Sequence, residues 1–156
     1  FRSVLAVNPV ITATNTRWPD LEVDLTFTST LGLENSVFFQ KLFRSDERVA
    51  VVLGFIKHCL RQRHLINPKD GYFSSYAYMT MALSVLTDLG VVPRLRGDFS
   101  KLTPRWVAAC NVAYHEVPAG WRSTNKNGVG DLVLQIFRAM TTPGRVFALT
   151  DPAELQ

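Results

Sequence analysis

From Leu21 to Phe27 the chain alternates strictly. Leu21, Val23, Leu25 and Phe27 are apolar while Glu22, Asp24 and Thr26 are polar, the period of two that marks a strand with one buried face. The apolar side is expected against a core, which leaves Glu22 and Asp24 together on the open side. Upstream, residues 4–14 are β-branched and apolar around Asn8-Pro9, predicting a short strand, a break and a second short strand. With residues 15–20 as the connection, an antiparallel hairpin is expected. After Ser29, Thr30 and Gly32 the apolar period lengthens to that of a helix, predicted over residues 33–44 with Val37, Phe38, Phe39 and Leu42 inward. Ser45 is the predicted N-cap of the next helix, residues 48–63, with Asp46 and Glu47 in its first turn, where the helix dipole favours acid. Its apolar stripe is Val49, Val52, Leu53, Ile56, Cys59 and Leu60.

Asn67-Pro68-Lys69-Asp70-Gly71 reads as a loop. Ser74 then caps a helix running through Leu89. So little of that helix is polar that it is predicted to be the central buried one, stopped by Gly90. Pro93 and Gly97 make residues 91–99 irregular. Thr103-Pro104 opens a short helical piece over residues 105–113, residues 117–126 form a loop, residues 128–140 an amphipathic helix and residues 145–149 a strand. The expected class is α+β and mainly helical.

Composition changes this picture little. With 47% hydrophobic and 19% charged residues, 156 residues can build one ordinary core or one domain plus part of another. The net charge of +4 fits a polyanionic partner without requiring one. Cys59 and Cys110 form no CxxC pair, so neither a disulfide framework nor a zinc module is indicated, and a reducing intracellular setting follows. His58, Cys59 and His64 likewise lack metal-ligand spacing. No apolar run reaches membrane-spanning length, so no membrane partner is expected. Phe1 in place of an initiator Met suggests a fragment with residues missing upstream.

Three groups of residues carry candidate chemistry. Asp24 lies on a strand that leads through a glycine turn into a helix start, where Asn35 and Ser36 sit near the first turn. Such a rim suits nucleotidyl transfer, which uses carboxylates to hold two metal ions about 4 Å apart; an acidic strand face is otherwise simply solvated. Lys57 and Arg61 stand four apart and project from one helix face. They read either as a solvent stripe or, because the rest of that helix is so apolar, as the wall of a groove that grips phosphates. Ser74, Ser75 and Tyr76 open the central helix, where hydroxyl and free N–H groups can meet phosphate and the tyrosine ring can stack on a base; the plainer reading is an N-cap followed by a core tyrosine.

Taken in order, VDLTF, LGLENS, IKHCLRQR, INPKDGYFSSYAY, VVPRL, NKNGVGDLVLQIFRAM and TDPAEL resemble the RNA terminal uridylyltransferases, most of all those of kinetoplastids. These belong with the poly(A)-polymerase-like members of the polymerase-beta-like nucleotidyltransferase superfamily. The resemblance covers nearly the whole chain. It implies the end of a nucleotidyltransferase sheet over residues 1–32, followed by a helical nucleotide-base-recognition domain over residues 33–156. It also implies that Asp24 is the third metal-binding carboxylate, for Mg2+ or Mn2+. Asn35 and Ser36 would meet ribose and phosphates, Lys57 and Arg61 the triphosphate, Ser75 a phosphate and Tyr76 the uracil face. Asp151 and Glu154 resemble an acidic pair that selects uracil; DPAE here replaces a DPFE-like motif and lacks its aromatic residue.

An alternative register makes Glu22 and Asp24 the first two carboxylates. No Gly-Ser lies upstream of them and the downstream motifs fit the third-carboxylate register, so the first two are expected outside this chain. The implied partners are UTP and the 3′ end of an RNA, within a larger ribonucleoprotein assembly. A mitochondrial home follows only by analogy with the kinetoplastid enzymes. Two other functions fit the same motifs: a catalytically inactive nucleotidyltransferase-like subunit that binds RNA, and a poly(A) polymerase.

Overall fold

A computed structural model describes residues 2–4, 10–27, 30–96, 101–107 and 109–149. Three antiparallel strands, β1 (Arg2–Val4), β2 (Val10–Thr14) and β3 (Glu22–Thr26), form a sheet in the order β1-β2-β3. The hairpin register sets Ala13 against Val23, Thr12 against Asp24 and Ile11 against Leu25. The expected buried face is not buried. Ile11, Leu21, Val23 and Leu25 are all exposed, and Phe27 is 78% exposed, because the helices pack on one another and no described helix lies across the sheet.

The helical body is built from α1 (Leu31–Ser45), α2 (Glu47–Gln62), α3 (Ser75–Asp88) and α4 (Val129–Met140). Helix α1 starts at Leu31, and the hydroxyl of Ser36 donates to the Gly32 carbonyl at 2.8 Å. Phe38 and Leu42, one turn apart, take the core stripe. Val37, expected inward, lies on the exposed side of that stripe, and Phe39 is half-buried.

The cap of α2 differs from expectation by one residue. Ser45 stays in α1 and its hydroxyl donates to the Leu42 carbonyl, while Asp46 adopts the extended backbone of an N-cap and accepts from the Arg48 amide at 2.9 Å. A carboxylate wins over a hydroxyl here because it also binds the guanidinium of Arg48, through Nε at 2.9 Å and Nη2 at 2.7 Å. The hydrogen bonds from the Arg48 side chain hold the Asp46 carboxyl below the usual carboxylate range and raise Arg48 in turn. The native state therefore favours ionised Asp46, and the stability it supplies is present above the unfolded carboxylate range and lost as pH falls through the depressed native value. Asp46→Ala should lower the unfolding free energy by about 1–2 kcal/mol at neutral pH. Urea titrations should show the difference from wild type shrinking in strong acid; a difference independent of pH would contradict this.

Helix α3 is the buried centre, as its composition predicts: Ala82 to Thr87 are all buried. Ser74 caps it, accepting from the Ala77 amide at 3.2 Å. Both buried polar side chains among the described residues, Ser84 and Thr87, are used. Thr87 donates to the Leu83 carbonyl, and Ser84 accepts from the Ala148 amide. That last bond, with Phe147 and Leu149 packed on the core, ties down residues 145–149 without the strand expected there. Gly90 ends the helix region at φ +67°, and a Cβ there would lie 3.2 Å from the Thr124 hydroxyl. Both the backbone twist and the close approach favour glycine.

The helix expected over residues 105–113 is instead a small hairpin, β4 (Trp106–Val107) and β5 (Cys110–Asn111). Asn111 explains the difference, because its side-chain oxygen accepts from the amides of Arg105 and Ala113 and so competes with helical bonding. No helix among the described residues is long and apolar enough to cross a membrane.

Candidate functional site

The C-terminal half of α2 and the N-terminus of α3 face each other across an open cavity of about 450 Å3. Lys57, Arg61, His64, Asn67, Asp70 and Ser75 line it together with Ile66. The stripe of Lys57 and Arg61 forms part of this cavity's wall. Both are exposed, and neither makes an ion pair among the described residues. Like charges four apart weaken a helix slightly, so the pair is unrewarded within the described fold.

Opposite them, the first turn of α3 carries no acid, and its N-terminal end presents the positive pole of the helix to the cavity. Ser74 is occupied by capping, whereas Ser75 lines the cavity directly. Asp70 is the one carboxylate among the lining residues. It is held by the Asn67 amide, which donates to Oδ2 at 2.6 Å, while Asn67 Oδ1 caps the short 3-10 helix Pro68–Asp70. His64 reaches the cavity from a left-handed backbone, φ 55°, uncommon for a residue with a Cβ. Sequence reasoning missed His64, Asn67 and Asp70 as lining groups. The Asn-Pro turn was visible, but not where it closes.

Tyr76 is not a core residue. It is 47% exposed, and one face of its ring stacks on Phe39 of α1, with centroids 5.3 Å apart and planes at 4°. Phe39 continues through Phe38 to Tyr114 in a chain of ring contacts, which anchors the Tyr76 platform to the core. Nothing in the sequence pairs residue 39 with residue 76; the contact comes from tertiary packing. Asn35 lies one turn before Phe39, on the same stripe of α1. Ser36 is engaged with its own helix. Arg96 lies with its guanidinium 4.6 Å from the Phe38 ring centroid, and burial lowers its affinity for the proton.

Asp24 stands apart from this cavity. Its Oδ1 accepts from the Thr12 hydroxyl across the hairpin at 2.7 Å, and it is not among the cavity's lining residues. The described residues contain no group of three His, Cys, Asp or Glu able to hold a metal. A divalent magnesium site needs several oxygen ligands in one place. Asp24 can contribute one carboxylate, and the described residues do not complete the shell, so by themselves they do not fit the metal. Asp151 and Glu154 lie outside the described residues.

No family model matches the chain. It is 26% identical over 140 residues to the poly(A) RNA polymerase gld-2 homolog A of Drosophila melanogaster, a match covering 86% of this chain and 10% of that protein. Among solved structures it is similar to the Cid1 poly(U) polymerase bound to MgATP, at 21% identity and a TM-score of 0.76, covering 92% of this chain and 48% of that one. It is likewise similar to a cytoplasmic RNA terminal U-transferase, at 20% identity and a TM-score of 0.75, covering 92% and 47%. Cid1 in complex with its short product ApU matches at 20% identity and a TM-score of 0.76, covering 92% and 48%. The chain spans about half the length of these solved structures. Its fold is that of the C-terminal part of Cid1-like nucleotidyltransferases, mainly helical α+β.

Proposed function

We propose that this chain is the nucleotide-holding part of an RNA terminal nucleotidyltransferase that uses UTP. One observation carries the reading: Lys57, Arg61 and Ser75 line a single cavity at the N-terminus of α3; Tyr76, next in sequence to Ser75 and stacked on Phe39, is not among its lining residues. Two cations with no ion-pair partner among the described residues and a helix N-terminus suit a triphosphate, and the exposed face of Tyr76 suits a base. The cavity volume falls in the ordinary range for small-molecule sites. Some of the matched structures were solved with nucleotides, MgATP in one and the UTP analog UMPNPP in another, which supports a nucleotide ligand for the shared fold.

In this reading Lys57 and Arg61 hold the β- and γ-phosphates, Ser75 donates to a phosphate oxygen and Asn35 meets the ribose. The 3′-oxygen of RNA forms a bond to the α-phosphorus as the bond from that phosphorus to the β-phosphate oxygen breaks. The hydroxyl proton passes to solvent and pyrophosphate departs. The residues of this chain hold and orient the nucleotide; they are not asked to form a covalent intermediate. Asp24 is proposed to donate one carboxylate to a magnesium shell completed by residues elsewhere in the protein. The preference for UTP over ATP rests on the resemblance of Asp151 and Glu154 to a uracil-selecting pair. Similarity to a poly(A) polymerase and to uridylyl-transferring enzymes alike leaves the kinetoplastid-type assignment with its motif resemblance as support.

The full-length protein, given a labelled RNA and each nucleoside triphosphate separately, should extend the 3′ end with UMP in preference to AMP. Equal extension with both would overturn the base assignment. An inactive RNA-binding subunit is favoured by one observation, that no three-ligand metal group surrounds Asp24 among the described residues; UTP binding with no extension at all would establish it. Tyr76→Ala should weaken UTP by about 1–3 kcal/mol while Tyr76→Phe keeps most of the affinity, measured by equilibrium dialysis. Unchanged affinity in the alanine variant would return the ring to a packing role.

A further inference from the structure

A second basic cavity lies at the other end of α2. Its volume is about 780 Å3, and every residue lining it is polar or charged. Arg44, from the last turn of α1, stands on one wall, with Arg122 and Lys126 from the segment before α4 on the other. All three are exposed, and among the described residues none makes an ion pair or side-chain hydrogen bond. Arg48 and Asp46 lie between the walls and neutralise each other, leaving Glu47 as the opposing acid. The local balance favours an anion.

The segment carrying two of these cations is fixed in place. From Trp121 to Gly128 half-buried and exposed residues alternate. The inward members are bonded to the body: Ser123 donates to the Gly90 carbonyl at 2.9 Å, and Asn125 donates to the Leu89 carbonyl at 3.0 Å. Arg48 donates to the Asn127 carbonyl and to the Ser123 hydroxyl. The outward members, Arg122 and Lys126, are therefore presented from an anchored backbone, and binding orders little chain.

We propose that this cavity binds the phosphodiester backbone of single-stranded RNA, at a distance from the nucleotide site. Arg48 and Lys57 are about 14 Å apart along the axis of α2 and half a turn apart around it, so one nucleotide cannot fill both cavities. A strand held here is the body of the RNA, upstream of its 3′ end. The absence of apolar and aromatic lining favours a phosphate backbone over an acidic protein, whose interface would carry such anchors. Cations and amide groups with no base-reading surface predict binding without sequence preference.

The inference deepens the proposed RNA transferase reading but is tested apart from it. Fluorescence anisotropy of a labelled uridine oligomer with the full-length protein, over a series of salt concentrations, is compared with Arg44→Gln/Arg122→Gln/Lys126→Gln. Affinity should fall about tenfold or more, and the slope of log affinity against log salt should flatten by about 2, since each lost phosphate contact on a single strand contributes about 0.7. UTP affinity should not change, and thermal unfolding should match wild type. An unchanged slope, RNA binding by neither protein, or loss of polyglutamate binding in place of RNA binding would each overturn the assignment. RNA binding with the predicted slope change but no UTP binding by wild type would instead sink the nucleotide reading and leave this one standing.

Discussion

Replacing Lys57 and Arg61 together by alanine should reduce nucleoside triphosphate affinity by about 100-fold or more. Each is a charged donor lining the same cavity and makes no ion pair among the described residues, and a charge-assisted contact contributes about 1.5–3 kcal/mol. The two contacts share one ligand and are not expected to add in full. A combined loss of about 3 kcal/mol, or between 100-fold and 1,000-fold, is the central estimate. Both side chains are exposed, so folding should survive, and removing a like-charge pair four apart relieves a small repulsion in α2. Competition binding against a fluorescent UTP analogue reads the effect. Loss for UTP but not for uridine is the expected pattern, because the cations meet phosphates and not the base. Equal loss for uridine would place them elsewhere on the ligand.

The largest effect on stability is expected from Leu86→Ala. Leu86 is fully buried in the last turn of α3, and its carbonyl accepts from Val91 at the turn beyond Gly90, so helix end and core meet at this residue. Removing a buried leucine costs its transfer free energy plus the cavity left behind, about 2–5 kcal/mol. Against a total of about 5–15 kcal/mol for a domain, that is a large share. Val51→Ala, on the exposed side of α2, should change stability by no more than about 0.5 kcal/mol. Urea denaturation of the two variants side by side checks the ranking; a smaller loss at Leu86 than at Val51 would contradict the position of the core.

What was legible in the sequence and what was not follow a physical division. Helices α2, α3 and α4 were legible because each carries enough apolar residues at helical spacing to announce both its existence and its buried face. The exposed placement of Lys57 and Arg61 was legible for the same reason, since a stripe defines its complement. Ser74 was legible as a cap because its role depends on three neighbouring residues. Asp46 was not, because the choice between it and Ser45 depends on Arg48. The β4–β5 hairpin was hidden because the Asn111 side chain overrides local helix preference. The β3 alternation correctly marked a strand but not its burial, which depends on what lies across the sheet. The Phe39–Tyr76 stack and the Arg44, Arg122 and Lys126 cavity join residues distant in sequence and left no periodic trace.

Both basic cavities lie along α2 and share no lining residue. A helix whose inner stripe is committed to the core leaves its ends to carry charge, and here each end meets a different segment: the start of α3 at one, the anchored segment before α4 at the other. On this account the first cavity takes the triphosphate and the second the strand to be extended. Their separation lets the two ligands bind together without competition.

The most direct test is calorimetric titration of the full-length protein, with magnesium present, by UTP, UDP and uridine in turn. Affinity falling at each loss of phosphate, with UTP bound better than ATP, is the predicted result. Uridine binding as tightly as UTP, or no heat from any of the three, would contradict the claim that Lys57, Arg61 and Ser75 enclose a triphosphate.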